Sequence, residues 1–383
     1  MEEESMTTRR EFLDAALAGV AGMTLLHAVP AYAAQAPNLL SVLKAAGKET
    51  QTVALPDGTR VFILPYGGRV LGVFAPSSDE NFYWTNSALD TEDSAKTFFA
   101  SKDWQNTGGD RTWLAPEVDV FLPNFPKTDK YWQPRELDPG NYEVQPAPLG
   151  VKLVNRLSLE LSRSKKRVAL EIAKSVGPAP NPLRYERDVD LAGIEYAGYT
   201  QYTSLALTGD SVDTDHRVGL WNLVQMPHRG DMLIPTYFRS EPTTCFGEIV
   251  PADLEVSDRL IRYHMRAKGE HKITIRAVAT AGRVGYVYKT SERWALIVRN
   301  FVVNPSGEYV DPPWKEPDHL GYSTQACNVN SALGAFSELE YHIPAIGGGT
   351  GRTRCDDAAQ VWAFRGTREQ IKNVAAHLLT PEL

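Results

Sequence analysis

Cysteine is scarce in this chain: three in 383 residues, Cys245, Cys327 and Cys355, far apart and with no Cys-x-x-Cys pair. That excludes a disulfide-stapled framework and a thiolate-held zinc ribbon. At most one bridge can form, and a free buried thiol fits each position equally well. No basic stripe runs along the chain, and the formal net charge of −7 offers nothing to a phosphate backbone. Nucleic acid is therefore not an expected partner. Gly-x-Ser-x-Gly, His-Glu-x-x-His and the dinucleotide-binding glycine pattern are all missing, so none of the chemistries they mark is expected. Gly347-Gly348-Gly349-Thr350-Gly351 lacks both a lysine and a strand-to-helix setting, and it reads as a flexible loop. Asp213-Thr214-Asp215-His216-Arg217 lacks the spacing and the glycine of a calcium loop. No metal and no cofactor are expected. Neither a repeat of solenoid length nor a linker rich in Gly, Ser or Pro divides the chain, so residues 34–383 read as a single domain.

The first 33 residues read as something else. Arg9-Arg10-Glu11-Phe12-Leu13 precedes the apolar stretch Ala15–Val29 and then Ala31-Tyr32-Ala33. A basic start, a short apolar run and a small-x-small site make an export signal, here of the twin-arginine type. The run is too short to span a bilayer, which needs ~20 apolar residues. The expected location is periplasmic or secreted, with no membrane contact once the signal is cut.

What is abundant is β-patterning. The 29 glycines and 25 prolines are spread along a chain that is 43% apolar, as suits many strands joined by turns. Thr59–Leu64 and Arg69–Phe74 flank Pro65-Tyr66-Gly67-Gly68 as a hairpin, and Lys152–Leu161 with Val168–Ser175 makes another. Short strands continue at Tyr199–Leu207, Val218–Gln225, Met232–Tyr237, Ile261–Met265, Ile273–Ala279, Gly285–Tyr288, Ala295–Val303, Phe336–Ile343 and Gln360–Phe364. No alternating βα series interrupts them. Thr91–Phe99 has room for a turn or two of helix. The clearest helix is terminal, where Ile371, Val374, Ala375 and Leu378 share one face behind the N-cap Thr367.

Two stretches carry candidate chemistry. Trp104–Asp119 packs two tryptophans, Gly108-Gly109, Asp110-Arg111 and Pro116-Glu117 into a segment that reads as loop. Asp110 and Arg111 offer an acceptor fork beside a planar donor fork. Trp104 and Trp113 offer flat apolar faces of the kind that cover sugar rings, and Glu117 adds a second carboxylate. The alternative is an Arg–carboxylate clamp that only braces two sheets. In Phe336–Ile343, alternation puts Glu338, Glu340 and His342 on one face and Leu339 and Tyr341 on the other. Three ionisable groups in a row are costly to bury unpaired, so water or a cleft is expected above them. In a cleft, neighbouring carboxylates drive one pKa upward, as acid–base work at a sugar oxygen requires. His228, in the turn Pro227-His228-Arg229-Gly230, is a further candidate partner. Trp221, Trp294, Trp314 and Trp362 read as core.

Gly67-Gly68-Arg69-Val70, Asn81–Asn86, Gly108–Glu117, Gly219–Gln225 and Glu338–His342, in that order and spacing, resemble the galactose-mutarotase-like superfamily. The likeness is nearest to an uncharacterised group of exported bacterial proteins within it. It implies an all-β fold, a large antiparallel β-supersandwich, here with a short C-terminal helix. It also implies a saccharide ligand. The sequence departs from true mutarotases: neither the central histidine motif nor the late glutamate motif is reproduced, so epimerase residues do not carry over. The expectation is a saccharide cleft walled by Trp104, Asp110, Arg111, Trp113 and Glu117. Glu338, Glu340, His342 and His228 are the candidates for epimerisation or glycosidic cleavage. A non-catalytic glycan-binding protein is the alternative, and oligomeric state is left open.

Overall fold

The structure, a computed structural model, describes residues 36–382 apart from Ser77 and Leu149. The export signal expected in residues 1–33 lies outside the described residues. Two large sheets dominate, and every strand pairing described is antiparallel. The first sheet runs in the order Gln51–Ala54, Arg60–Leu64, Arg69–Phe74, Asp110–Ala115, Arg217–Pro227, Gly334–His342, Tyr322–Ser331, Gly269–Arg276, Thr243–Phe246. The second begins Leu254–Val256, Leu260–His264, Asp231–Pro235, Arg283–Lys289, Trp294–Asn300. It continues Arg354–Gly366, Glu195–Leu207, Arg167–Pro178, Gly150–Glu160, Glu143–Ala147. The sheets pack face to face over one large apolar cluster that includes Leu220, Val224, Ile273 and Leu339 from the first and Leu170, Ile172, Ile297 and Val361 from the second. The all-β sandwich expected from the strand spacing is what the chain forms.

Both outer faces are partly covered. Helices Ala36–Ala45 and Glu92–Ala100 cap one end of the first sheet, where Leu39, Val42, Leu43 and Ala95 meet Phe62, Leu64, Leu71 and Phe74. The terminal helix Arg368–Leu378 has the expected cap, a reciprocal Thr367–Gln370 capping box. Its Ile371, Val374, Ala375 and Leu378 cover Leu296, Val298, Trp362 and Phe364 on the second sheet. Among the described residues no helix is long and apolar enough to cross a membrane.

The stretch read as a loop is partly a central strand. Asp110–Ala115 pairs with Arg217–Pro227, placing Trp113 beside Trp221. All six of its residues are buried, so the polar–apolar alternation that would reveal a strand is absent. Tyr322–Ser331, rich in small polar residues, escapes the pattern for the same reason. Gly108 and Gly109 deliver the chain into the strand with φ of +97° and +75°. A Cβ on Gly108 would lie 2.3 Å from Trp84 O, and one on Gly109 2.4 Å from Val70 O, which is why both positions need glycine.

Asp110 and Arg111 point to opposite sides of that strand, as neighbours in a strand must. Asp110 faces the second sheet. Its Oδ1 accepts Lys174 Nζ at 2.8 Å, and Oδ2 pairs with Arg299 and accepts the Tyr199 hydroxyl at 3.3 Å. Burial raises its pKa, but Arg299 and Lys174 outweigh that and hold the carboxyl below its usual range. The sheet-bracing clamp weighed for Asp110 therefore exists, with Arg299 and Lys174 as its cations. Replacing Asp110 with Asn strands two buried cations. We expect Asp110→Asn to cost about 3–5 kcal/mol of stability in urea unfolding. A loss within experimental error would show that the clamp is not needed.

Candidate functional site

On the outer face of the first sheet the second informative stretch behaves as its alternation requires. Glu338, Glu340 and His342 project outward, while Leu339 and Tyr341 enter the sandwich. The open cleft expected above the three does not exist in this state. Glu338 is 6% exposed, Glu340 0% and His342 1%, because aromatic side chains from loops roof the row. Burial is tolerable because neighbouring strands and the roof supply partners.

Each carboxylate is held differently. Glu338 Oε1 accepts Arg111 Nη2 at 2.8 Å and Gln225 Nε2 at 2.9 Å. Glu340 Oε2 accepts Trp221 Nε1 at 2.9 Å and lies 3.1 Å from Lys272 Nζ. Lys272 Nζ also lies 3.4 Å from Glu117 Oε2, and Glu117 accepts the Tyr131 hydroxyl at 2.7 Å and Trp314 Nε1 at 3.0 Å. At the other end Asp138 Oδ2 accepts three donors: Arg69 Nη2 at 2.9 Å, Trp104 Nε1 at 3.1 Å and Trp113 Nε1 at 3.0 Å. The indoles so fixed bracket the Arg111 guanidinium, 4.1 Å from Trp113 and 5.4 Å from Trp104, a cation–π box.

Trp104, Arg111, Glu117, Lys272, Glu338 and Glu340 line a cavity of about 20 Å³ among these groups, enough for a single water. Polar atoms beside it are unspent: Nε and Nη1 of Arg111 and Oε1 of Glu340 are buried without hydrogen-bond partners, as is Gln225 Oε1. Buried donors and acceptors left together in this way are expensive in a purely structural cluster. A polyhydroxylic ligand would satisfy both kinds. Burial, with Glu338 and Glu117 adding to it against Lys272, pushes Glu340 up to about 8. It therefore holds its proton at neutral pH.

The sequence candidates thus divide. Trp104, Arg111, Trp113, Glu117, Glu338 and Glu340 meet around the cavity. His342 lies beside them, stacked on Trp221 with ring centroids 5.7 Å apart, its Nε2 3.7 Å from Asp311 Oδ2 and neither nitrogen hydrogen-bonded. Asp110 is not in this wall; it serves the clamp between the sheets. His228 is not there either, since its Nε2 meets Asn328 Oδ1 at 2.9 Å. Asn328 follows the cavity-lining Cys327 in its strand and so faces the opposite side of the sheet.

Sequence reasoning missed Lys272, Gln225, Asp138 and Asp311; Trp221 and Trp314, read as core, do belong to the large buried cluster, and their indole N–H groups also donate to Glu340 and Glu117. Lys272 lies one residue before the run Ile273–Ala279 that reads as a strand, and nothing in the sequence around Asp138 marks it as a site residue.

Burial, helped by Lys272, drives the His342 pKa down to about 3. Between that value and the unfolded value near 6.5 the unfolded chain binds the extra proton, so stability falls as pH drops through this window. We expect His342→Gln to be less stable than the parent at pH 7, and the gap in Tm to narrow by pH 4.5. A gap that stays constant or widens would show that His342 is not buried as a neutral ring.

Among solved structures the chain is similar to a putative aldose 1-epimerase from Escherichia coli K12, with a TM-score of 0.49 and 10% identity over 83% of this chain and 99% of that one. It is also similar to a putative aldose 1-epimerase from Klebsiella pneumoniae, with a TM-score of 0.49 and 9% identity over 87% and 83%. Galactose 1-epimerase from Lactobacillus acidophilus NCFM aligns with a TM-score of 0.39 and 7% identity over 82% and 94%. No curated protein matches by sequence. Residues 40–383 match the family of unknown function DUF6786, and the chain belongs to that family.

Proposed function

We propose that this is an exported saccharide-active protein whose roofed cluster moves protons at a sugar's anomeric centre. The observation that carries the reading is a pair of unequal carboxyls on one cavity wall: Glu340, protonated at neutral pH, and Glu338, held by Arg111. Such a pair divides acid and base roles. Glu338 takes the proton from the anomeric hydroxyl while Glu340 gives its proton to the ring oxygen. The bond between the anomeric carbon and the ring oxygen breaks as the carbonyl forms. Reclosure on the other face runs the same transfers backwards and yields the other anomer. Arg111, with two unspent donors, orients sugar hydroxyls.

Geometry favours this over cleavage of a glycosidic bond. Glu338 and Glu340 stand two residues apart on one strand, with oxygens within 4.8 Å of each other. They reach a ligand from the same side, whereas the carboxyls of a glycosidase flank the bond. A pyranose is larger than the present cavity, so its admission requires the roof around Tyr131 and Trp314 to lift, the loop gating familiar in enzymes. The Arg9-Arg10 leader supports export, and its test is cell fractionation with and without Arg9→Lys and Arg10→Lys.

We expect the purified protein to speed interconversion of the anomers of at least one sugar in a panel of aldoses and uronic acids, followed by polarimetry. Glu340→Gln should slow kcat by ~10²–10⁴-fold, and parent kcat should fall as pH rises through about 8, where Glu340 loses its proton. Failure of every panel sugar, or undiminished turnover by Glu340→Gln, would sink the catalytic reading. Saccharide binding without turnover would return the site to the glycan-binding alternative.

A further inference from the structure

A second cavity, of about 350 Å³, opens on the other side of the molecule, against the outer face of the second sheet. The size lies at the lower end of the range for small-molecule sites, ~300–1,000 Å³. Its walls are Pro182, Leu183, Arg283, Trp362 and Leu378, with Glu186 and His377 exposed at the mouth. Nothing in the anomer chemistry uses these residues.

Arg283 is the unusual member. It is half-buried, its Nε donates to Asn300 Oδ1 at 3.0 Å, and Nη1 donates to the Leu378 carbonyl at 3.1 Å. Both acceptors are neutral. No carboxylate lies within ion-pair distance of Arg283 among the described residues, and Nη2 makes no hydrogen bond there. The buried Arg69, Arg111 and Arg299, by contrast, each have a carboxylate partner. Burial alone acts on the Arg283 pKa and lowers it. The guanidinium carbon stands 5.4 Å from the Trp362 ring, and the indole Nε1 in the same wall is buried without an acceptor. A partly desolvated cation without a counter-charge is costly, and a carboxylate is its best-matched partner. Leu183, Leu378, Pro182 and the Trp362 ring supply an apolar lining that inorganic phosphate would not use.

We propose that this cavity is a second ligand site, which takes a small monocarboxylate with an apolar body. The carboxylate meets Arg283, and the body lies on Leu183, Leu378 and Trp362. Glu186 at the mouth opposes a second negative charge, so dianions are disfavoured. His377 is turned back onto its own helix, its Nδ1 donating to the Asn373 carbonyl at 2.9 Å.

The test uses the full-length mature protein and isothermal calorimetry with four probes: phenylacetate, 4-methylpentanoate, phenylacetamide and inorganic phosphate. At least one of the two carboxylates should bind. The neutral amide and phosphate should each bind about tenfold or more weakly than that carboxylate, and Arg283→Gln should weaken it by a similar factor. Glu186→Gln, an exposed substitution that leaves the lining intact, should tighten carboxylate binding. The proposal is overturned if neither carboxylate binds up to ~10 mM, if phenylacetamide or phosphate binds as well, or if Arg283→Gln changes nothing. Should Arg283→Gln fail to fold, the amide comparison and Glu186→Gln still decide. Weaker binding by Glu186→Gln would point to a zwitterion and contradict the proposal.

Discussion

One ammonium group holds the candidate site together. Lys272 lies between Glu117 on the roof side and Glu340 on the sheet, 3.4 Å from one and 3.1 Å from the other. Around it the outer face of the first sheet gathers five carboxyls, Glu117, Asp138, Asp311, Glu338 and Glu340, against three cations, Arg69, Arg111 and Lys272. Buried charges must balance or neutralise. Two of the five, Glu340 and Asp311, have their pKa values raised, chiefly by burial. The carboxyls outnumber the cations by two, and in that setting burial pushes Glu340 up to about 8. The proposed reaction exploits a shortage of cations that the fold itself builds.

The strand Asp110–Ala115 shows how closely architecture and chemistry are interleaved. Asp110 faces inward and joins the two sheets through Lys174 and Arg299. Arg111, the next residue, faces outward and holds Glu338 between two tryptophans. Disturbing the clamp would shift the strand that carries Arg111, so loss of activity alone cannot separate the two roles. The strand Gly334–His342 repeats the arrangement, with Tyr341 bonding Asn222 and Asp357 on the inner side while Glu338 and Glu340 stand outside.

Much of this was legible in the sequence, for physical reasons that can be named. Period two in Phe336–Ile343 placed Glu338, Glu340 and His342 on one face, because residues two apart must share a side. The spacing of apolar runs and turns was enough for the all-β class. Strands buried on both faces were not legible: Asp110–Ala115 and Tyr322–Ser331 show no alternation against solvent. Asp110 was misplaced for that reason, since adjacency in sequence looked like adjacency in space. The roof was invisible because Tyr131, Asp138 and Trp314 come from loops whose contacts span up to 197 residues of chain. His228 looked like a binding residue because it sits in a turn, but the side of the sheet a turn faces depends on register, which local sequence does not carry.

The central claim is that a buried carboxyl, Glu340, keeps its proton at neutral pH and presents it to a sugar. Carbon-13 NMR titration of the glutamate side-chain carboxyls, assigned by comparison with Glu340→Gln, measures this directly. The account predicts a resonance that titrates near 8 and shifts when a saccharide substrate is added. A Glu340 carboxyl that titrates in the ordinary range near 4.3 and ignores every saccharide would contradict it.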